Sequence, residues 1–175
     1  MLLDDLRTIL KNKYEIRDIT HENLKDAFEV MCANTHFYSK IQSHPVSLSE
    51  CKEDLYTLPP HTTLDQKHYV AFYLQDKCVA LLDYVESYPN TSTVYLGLFM
   101  LHPRYHKSGI GKELVDAFIK SVEINGFLEV KLCCYQVNEV GHNFWTKMGF
   151  VTEKESTRET DGTLFKMLEM HRLCK

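Results

Sequence analysis

One stretch limits the folds open to this chain more than any other. An apolar, strand-like run, Val94-Tyr95-Leu96-Gly97-Leu98-Phe99-Met100-Leu101, passes through the turn His102-Pro103-Arg104-Tyr105-His106-Lys107-Ser108-Gly109-Ile110 into an amphipathic helix over Gly111–Asn125. That helix turns Leu114, Ala117, Phe118 and Val122 inward and Lys112, Glu113, Asp116, Lys120 and Glu123 outward, so it must lie on a sheet or another helix. The first N–H groups of a helix have no intrahelical partner and carry the positive end of its dipole. Gly109 and Gly111 let the backbone adopt unusual dihedrals and approach a ligand closely. Bare amides can therefore surround a phosphate at this junction. A Gly-x-Gly before a helix also serves as a simple turn, so the neighbouring segments have to decide.

Those segments alternate between strand and helix patterns. Tyr14–Ile19 alternates as a strand, and Glu22–Ala33 carries Leu24, Ala27, Phe28 and Met31 at helical spacing. Residues 36–64 show no clear period apart from a short helix at Ser47–Leu55, closed off by Pro59-Pro60. His68–Leu74 and Cys78–Glu86 flank a polar turn, Gln75-Asp76-Lys77, and form a hairpin; Thr93–Leu101 is the next strand. Leu128–Cys134 alternates again, a helix spans Val140–Met148, and strand-like segments at Phe150–Glu155 and Leu164–Met170 enclose a turn at Asp161-Gly162. Strands grouped in the middle with helices between them predict an α+β fold: a mixed, mostly antiparallel central sheet with helices on both faces. The 175 residues fit one domain, with no repeat or low-complexity linker.

Composition narrows the partners. A net charge of −4 argues against nucleic acid, whose phosphates call for a basic face. No apolar run reaches the roughly 18 residues that would cross a membrane. The N-terminus carries early acids and no long apolar core, which is not a secretory signal, so a cytoplasmic protein is expected. Six cysteines without C-x-x-C spacing read as reduced, mostly buried thiols, and nine scattered histidines give no metal-ligand pattern, so no metal is expected.

Two phosphate-binding patterns fail here. A Walker A loop needs Ser or Thr after Gly111-Lys112, where Glu113 stands; the dinucleotide fingerprint needs a third glycine where Leu114 stands. The arrangement that does fit is an apolar strand, x-Pro, then His106-Lys107-Ser108-Gly109-Ile110-Gly111 at a helix start. This resembles the pyrophosphate loop of the GCN5-related N-acetyltransferases. The downstream half is similar to that family too: strand, Asn138, then Gly141-His142-Asn143-Phe144-Trp145-Thr146-Lys147-Met148-Gly149-Phe150. The close likeness covers residues 94–150.

The resemblance implies an enzyme that transfers an acetyl group from acetyl-CoA to a primary amine, by direct attack on the thioester. It implies that the amides of Lys107, Ser108, Gly109, Ile110, Gly111 and Lys112 hold the pyrophosphate, with His106 where the family usually has Gln or Arg. It gives Phe99, Met100 and Leu101 to the pantetheine arm on a strand splayed at a bulge, and Asn138 to the pantetheine amides. An Asn at that position equally suits a helix N-cap. Trp145 replaces the Tyr that often protonates the leaving thiolate; an indole N–H cannot do so at neutral pH, which leaves packing, against the arm or otherwise. Tyr95 takes the strand position where protein-acetylating members carry Glu, either as a proton relay or as a half-buried strand aromatic. Glu86 is the other candidate base. Residues 36–64 would wall the acceptor side, and family members are often homodimers. The missing Tyr leaves a second reading open, an acyl-CoA-binding module without turnover.

Overall fold

The computed structural model describes residues 1–175. The elements in chain order are α1 (Leu2–Leu10), β1 (Glu15–Asp18), α2 (Leu24–Ala33), α3 (Thr35–Ile41), α4 (Leu48–Asp54), β2 (Lys67–Leu74), β3 (Lys77–Glu86), β4 (Thr93–Leu101), α5 (Ile110–Ile124), β5 (Glu129–Tyr135), α6 (Glu139–Lys147), β6 (Val151–Thr160) and β7 (Thr163–Leu173). One seven-stranded sheet runs in the order β1-β2-β3-β4-β5-β7-β6, antiparallel except where β4 meets β5. The α+β architecture follows the sequence pattern.

Local chemistry explains the joints. Gln75 and Asp76 both take positive φ, 49° and 61°, which is the mirror-image turn that matches the twist of a tight hairpin. Ser47 and Glu50 close a reciprocal capping box at the start of α4, satisfying two of its orphan N–H groups. Asn125 ends α5 and Gly126 follows at φ 80°.

The sheet has a core on each face. On one, α1, α5 and α6 cover Val70, Phe72, Leu82, Tyr84, Val94, Leu96, Val130, Leu132 and Leu168. On the other, α2 and α4 cover Tyr69, Ala71, Tyr73, Leu81 and Met100. Helix α1 went unread in the sequence although Leu2, Leu3, Leu6 and Leu10 all face inward; the short spacing at its start hides the period. The cysteines are less buried than expected. Cys51 and Cys134 are buried, Cys78, Cys133 and Cys174 are half-buried, and Cys32 is exposed.

Candidate active site

The β4–α5 junction is built as a ring of amides. Lys107 (φ 59°) and Gly109 (φ 87°) both take left-handed backbone, which turns successive N–H groups toward one side. The amides of Lys107, Gly109, Gly111 and Lys112 have no acceptor within the protein. Those of Ser108 and Ile110, also expected to be free, make long bonds of 3.3 Å to the Tyr105 carbonyl and to Ser108 Oγ. A Cβ on Gly109 would meet nothing within 4 Å, so its dihedral, not its size, demands glycine, and the amide ring is open. Gly111 differs: a Cβ there would lie 3.4 Å from the Phe144 ring, so it lets α5 close on α6. The His106 ring turns back, with Nε2 3.1 Å from the Leu101 carbonyl. A carbonyl only accepts, so Nε2 carries the proton.

Behind the ring the sheet opens. β4 pairs with β5 only from Thr93 to Leu96. Asp83 pairs with Leu98 and Tyr84 with Leu96, so Gly97 is the extra residue of a bulge. The bulge reverses the pleat. Val94 and Leu96 point to the α5 face before it, whereas Phe99 and Leu101 do so after it. His102 N–H donates to the Val79 carbonyl, so the alternation turns the amides and carbonyls of Phe99 and Leu101 toward the opening and those of Met100 toward β3. Of the three residues assigned to the arm, Met100 is thus turned away. The Leu101 carbonyl already accepts from Asn34 Nδ2 at 3.2 Å as well as from His106. Helix α3 spans the opening on the α2 face. Asn34, at its start, touches Leu101; Phe37 packs edge-on against Tyr135, and Lys40 donates to the Val137 carbonyl. Beyond it Ser43 donates to Asp161 in the β6–β7 turn, so two distant segments close over the end of the cleft.

The groups assigned to chemistry separate. Tyr95 is half-buried on the α2 face, edge-on to Tyr88. Burial, with Cys133 beside it, pushes its phenol up to about 12, so it acts at neutral pH only as a neutral phenol. Glu86 lies on the opposite face. The even residues of β3, Ala80, Leu82 and Tyr84, belong to the α5-side core, and Glu86 Oε1 sits 3.1 Å from Nε2 of His68, which stacks on Tyr84. The sheet itself stands between Glu86 and Tyr95. Trp145, only 8% exposed, packs against Phe99, Phe144 and Phe150 in that same core and presents no face to a ligand. Asn138 caps α6: its Oδ1 accepts from Gly141 N–H at 3.0 Å. Its Nδ2 has no partner, so both of its N–H donors remain. A Cβ on Gly141 would stand 2.3 Å from that nitrogen, which is why residue 141 is glycine.

Sequence reading missed a polar cluster on the α2 face. Asp83 lies directly across β3–β4 from the bulge, and its carboxylate is 3.7–3.8 Å from where a Gly97 Cβ would be. Its Oδ2 pairs with Lys67 Nζ, both side chains largely buried at 14% and 4% exposure, and its Oδ1 has no partner. Tyr69, opposite Asp83 on β2, is 6% exposed, and its hydroxyl has no partner either. Asp54, at the end of α4, makes no hydrogen bond or ion pair; burial, and then the Asp83 charge, push its carboxyl up to about 6. The available signal was one acid inside the apolar run Val79-Ala80-Leu81-Leu82-Asp83-Tyr84-Val85. No group of three or more His, Cys, Asp or Glu side chains is arranged to hold a metal ion.

Comparison with known proteins agrees with this geometry. The model of the acetyltransferase (GNAT) family matches residues 33–150. No curated protein matches the chain. Among solved structures, an acetyltransferase from Thermus thermophilus is similar at a TM-score of 0.72 and 16% identity, covering 92% of this chain and 97% of that one. Ard1 from Thermoplasma volcanium is similar at 0.66 and 19%, over 93% and 99%. The PaiA N-acetyltransferase of Thermoplasma acidophilum, solved in complex with coenzyme A, is similar at 0.64 and 20%, over 91% and 98%. At these identities the structures testify to the fold, and the family model, which covers about two thirds of the chain, to descent: this chain belongs to the acetyltransferase (GNAT) family.

Proposed function

We propose that this protein transfers the acetyl group of acetyl-CoA to a primary amine of a small molecule, by direct attack of the amine nitrogen on the thioester carbonyl. The observation that carries the reading is the opening between β4 and β5, with an amide ring at its mouth on one side and buried carboxylates on the other. Unpaired amides of Lys107, Gly109, Gly111 and Lys112 suit a pyrophosphate, each helix-start donor contributing about 0.3–1 kcal/mol. The backbone edge of Phe99, freed where β4 leaves β5, suits the pantetheine amides or the oxyanion formed as nitrogen attacks carbon. Asn138 Nδ2 offers a further donor. The ammonium form first gives a proton to solvent; the neutral nitrogen then forms the C–N bond, the C–S bond breaks with its electron pair leaving on sulfur as thiolate, and the proton shed by the acylated nitrogen passes to solvent. Neither Tyr95 nor Trp145 supplies a strong acid. Collapse therefore relies on a leaving group that is stable as an anion.

The test is a screen of amines with acetyl-CoA, read as free thiol, beside calorimetry of acetyl-CoA binding. Gly109→Glu puts bulk and negative charge into the amide ring and is expected to abolish acetyl-CoA binding in a folded protein; unchanged affinity refutes the loop assignment. Trp145 in place of an acid favours a second reading, an acyl-CoA-binding module without turnover. Saturable acetyl-CoA binding with no thiol release across the amines would select it.

A further inference from the structure

We infer that Asp83, Asp54 and Tyr69 form the seat of the acceptor's ammonium group, and that the acceptor is a primary alkylamine with no carboxylate on the carbon bearing the nitrogen. The inference rests on the transfer reading above and names the substrate class of that same site.

Three features converge. First, charge does not balance within the cluster. Two carboxylates, Asp54 and Asp83, share one buried ammonium, Lys67, which is spent on Asp83 Oδ2. Second, the unpartnered polar atoms are all acceptors or can act as such. Asp83 Oδ1 and the Tyr69 hydroxyl are buried without a partner, and the half-buried Asp54 makes no hydrogen bond or ion pair within the protein. Buried polar atoms are almost always paired, so vacancies of one kind point to a ligand of the other kind. A primary ammonium brings three donors and one positive charge, which answers both deficits. Third, the cluster is in register with the chemistry. Tyr69, Asp83 and the Gly97 bulge follow one another across β2, β3 and β4, next to the opening where β4 leaves β5.

The same charge count excludes an adjacent anion. A carboxylate on the neighbouring carbon would be pressed against Asp54 and Asp83 in a site that already carries excess negative charge. Lys67 is engaged, and Arg158 lies over the Tyr135 ring beside Cys133 and Tyr95, on the β5 side of the opening and not on the β2–β3 side that carries Tyr69 and Asp83. Burial and nearby carboxylates hold Tyr69 and Tyr38 as neutral phenols, able to line the seat without adding charge.

The experiment pairs each amine with the amino acid that differs by one carboxylate: pentan-1-amine with norleucine, 2-phenylethylamine with phenylalanine, ethanolamine with serine. Turnover with acetyl-CoA is read as thiol release, and binding to the CoA-loaded protein by amide chemical-shift titration. The amines are expected to exceed their amino acids at least tenfold in kcat/KM. Asp54→Asn is expected to raise the amine KM at least fivefold and shrink the preference, with CoA affinity unchanged. Tyr69→Phe should raise KM in the same direction. Equal or better use of the amino acids, or an unchanged KM in Asp54→Asn, overturns the inference. If CoA binds and nothing turns over, the transfer reading fails, and the seat is judged by titration alone. Saturable amine binding that Asp54→Asn weakens upholds it, and absent or unaltered binding overturns it.

Discussion

Replacing Asp54 by Asn should stabilise the fold while weakening its use of amines. Asp54 is partly buried at the end of α4, with no hydrogen bond and no ion pair, and its carboxyl is raised from the ordinary 3.8 to about 6, first by burial and then by Asp83. At pH 7 the folded protein must keep this carboxylate charged in a site that disfavours charge. A tenfold change in proton affinity is worth about 1.4 kcal/mol, so the ceiling on the cost is about 3 kcal/mol. Solvent reaches part of the side chain, and screening cuts the expected gain for Asp54→Asn to about 1–1.5 kcal/mol. The folded pKa lies above the unfolded one, so between about 6 and 3.8 the folded state binds the extra proton. The cost is therefore present in full above pH 6 and fades as pH falls. Urea unfolding of both proteins at pH 7.5 and pH 4.5 should show a gain that shrinks to about a third at the lower pH. A destabilised variant at pH 7.5, or a gain independent of pH, would refute the claim that Asp54 is desolvated and unpaired. A gain in stability with a loss of amine affinity is the pattern of a site held at the expense of the fold.

Three further substitutions test other joints. Gly141→Ala drives a Cβ into the Asn138 amide and displaces the α6 cap, so thermal unfolding should report a loss of at least about 1 kcal/mol. Trp145→Phe trims the core beside Phe99 and Phe150 and should cost about 1–3 kcal/mol in denaturant while leaving measurable transfer; complete loss of turnover with intact acetyl-CoA binding would show that the indole does more than pack. Lys67→Met strands the Asp83 carboxylate and should cost about 3–5 kcal/mol, most of it recovered when Asp83→Asn is added.

What could be read from sequence was local and periodic. The strand Thr93–Leu101 and the glycine turn into α5 are legible because alternation, helical spacing and Gly109 each act within a few residues. The Asn138 cap is legible as well, since Gly141 stands three residues on. The placement of Glu86 was not legible. A strand acid points to one face or the other by parity alone, and the parity of β3 is set by the cores above and below it. Trp145 was legible as packing, but not what it packs on: its position in the motif is fixed by chain order, whereas its burial depends on Phe99 from β4 and Phe150 just ahead of β6. The cluster of Asp54, Lys67, Tyr69 and Asp83 joins a helix to two strands, so no window of sequence displays it.

Gly97 explains why these pieces meet. In a regular strand, Tyr95 and Phe99 would lie on the same face, and β4 would stay bonded to β5 along its length. One extra residue reverses the pleat, sending Phe99 and Leu101 toward the α5 face and leaving Tyr95 and Leu98 on the other. The same distortion ends the pairing with β5 after Leu96, which releases backbone donors at the only parallel joint of the sheet. The amide ring opens from the α5 side and the buried carboxylates from the α2 side, so a donor and an acceptor can approach one opening from opposite faces. Size does not compel glycine here, since an added Cβ would sit at ordinary contact distance from Asp83. A side chain at 97 would instead stand between the Asp83 carboxylate and the opening, where the two approaches meet.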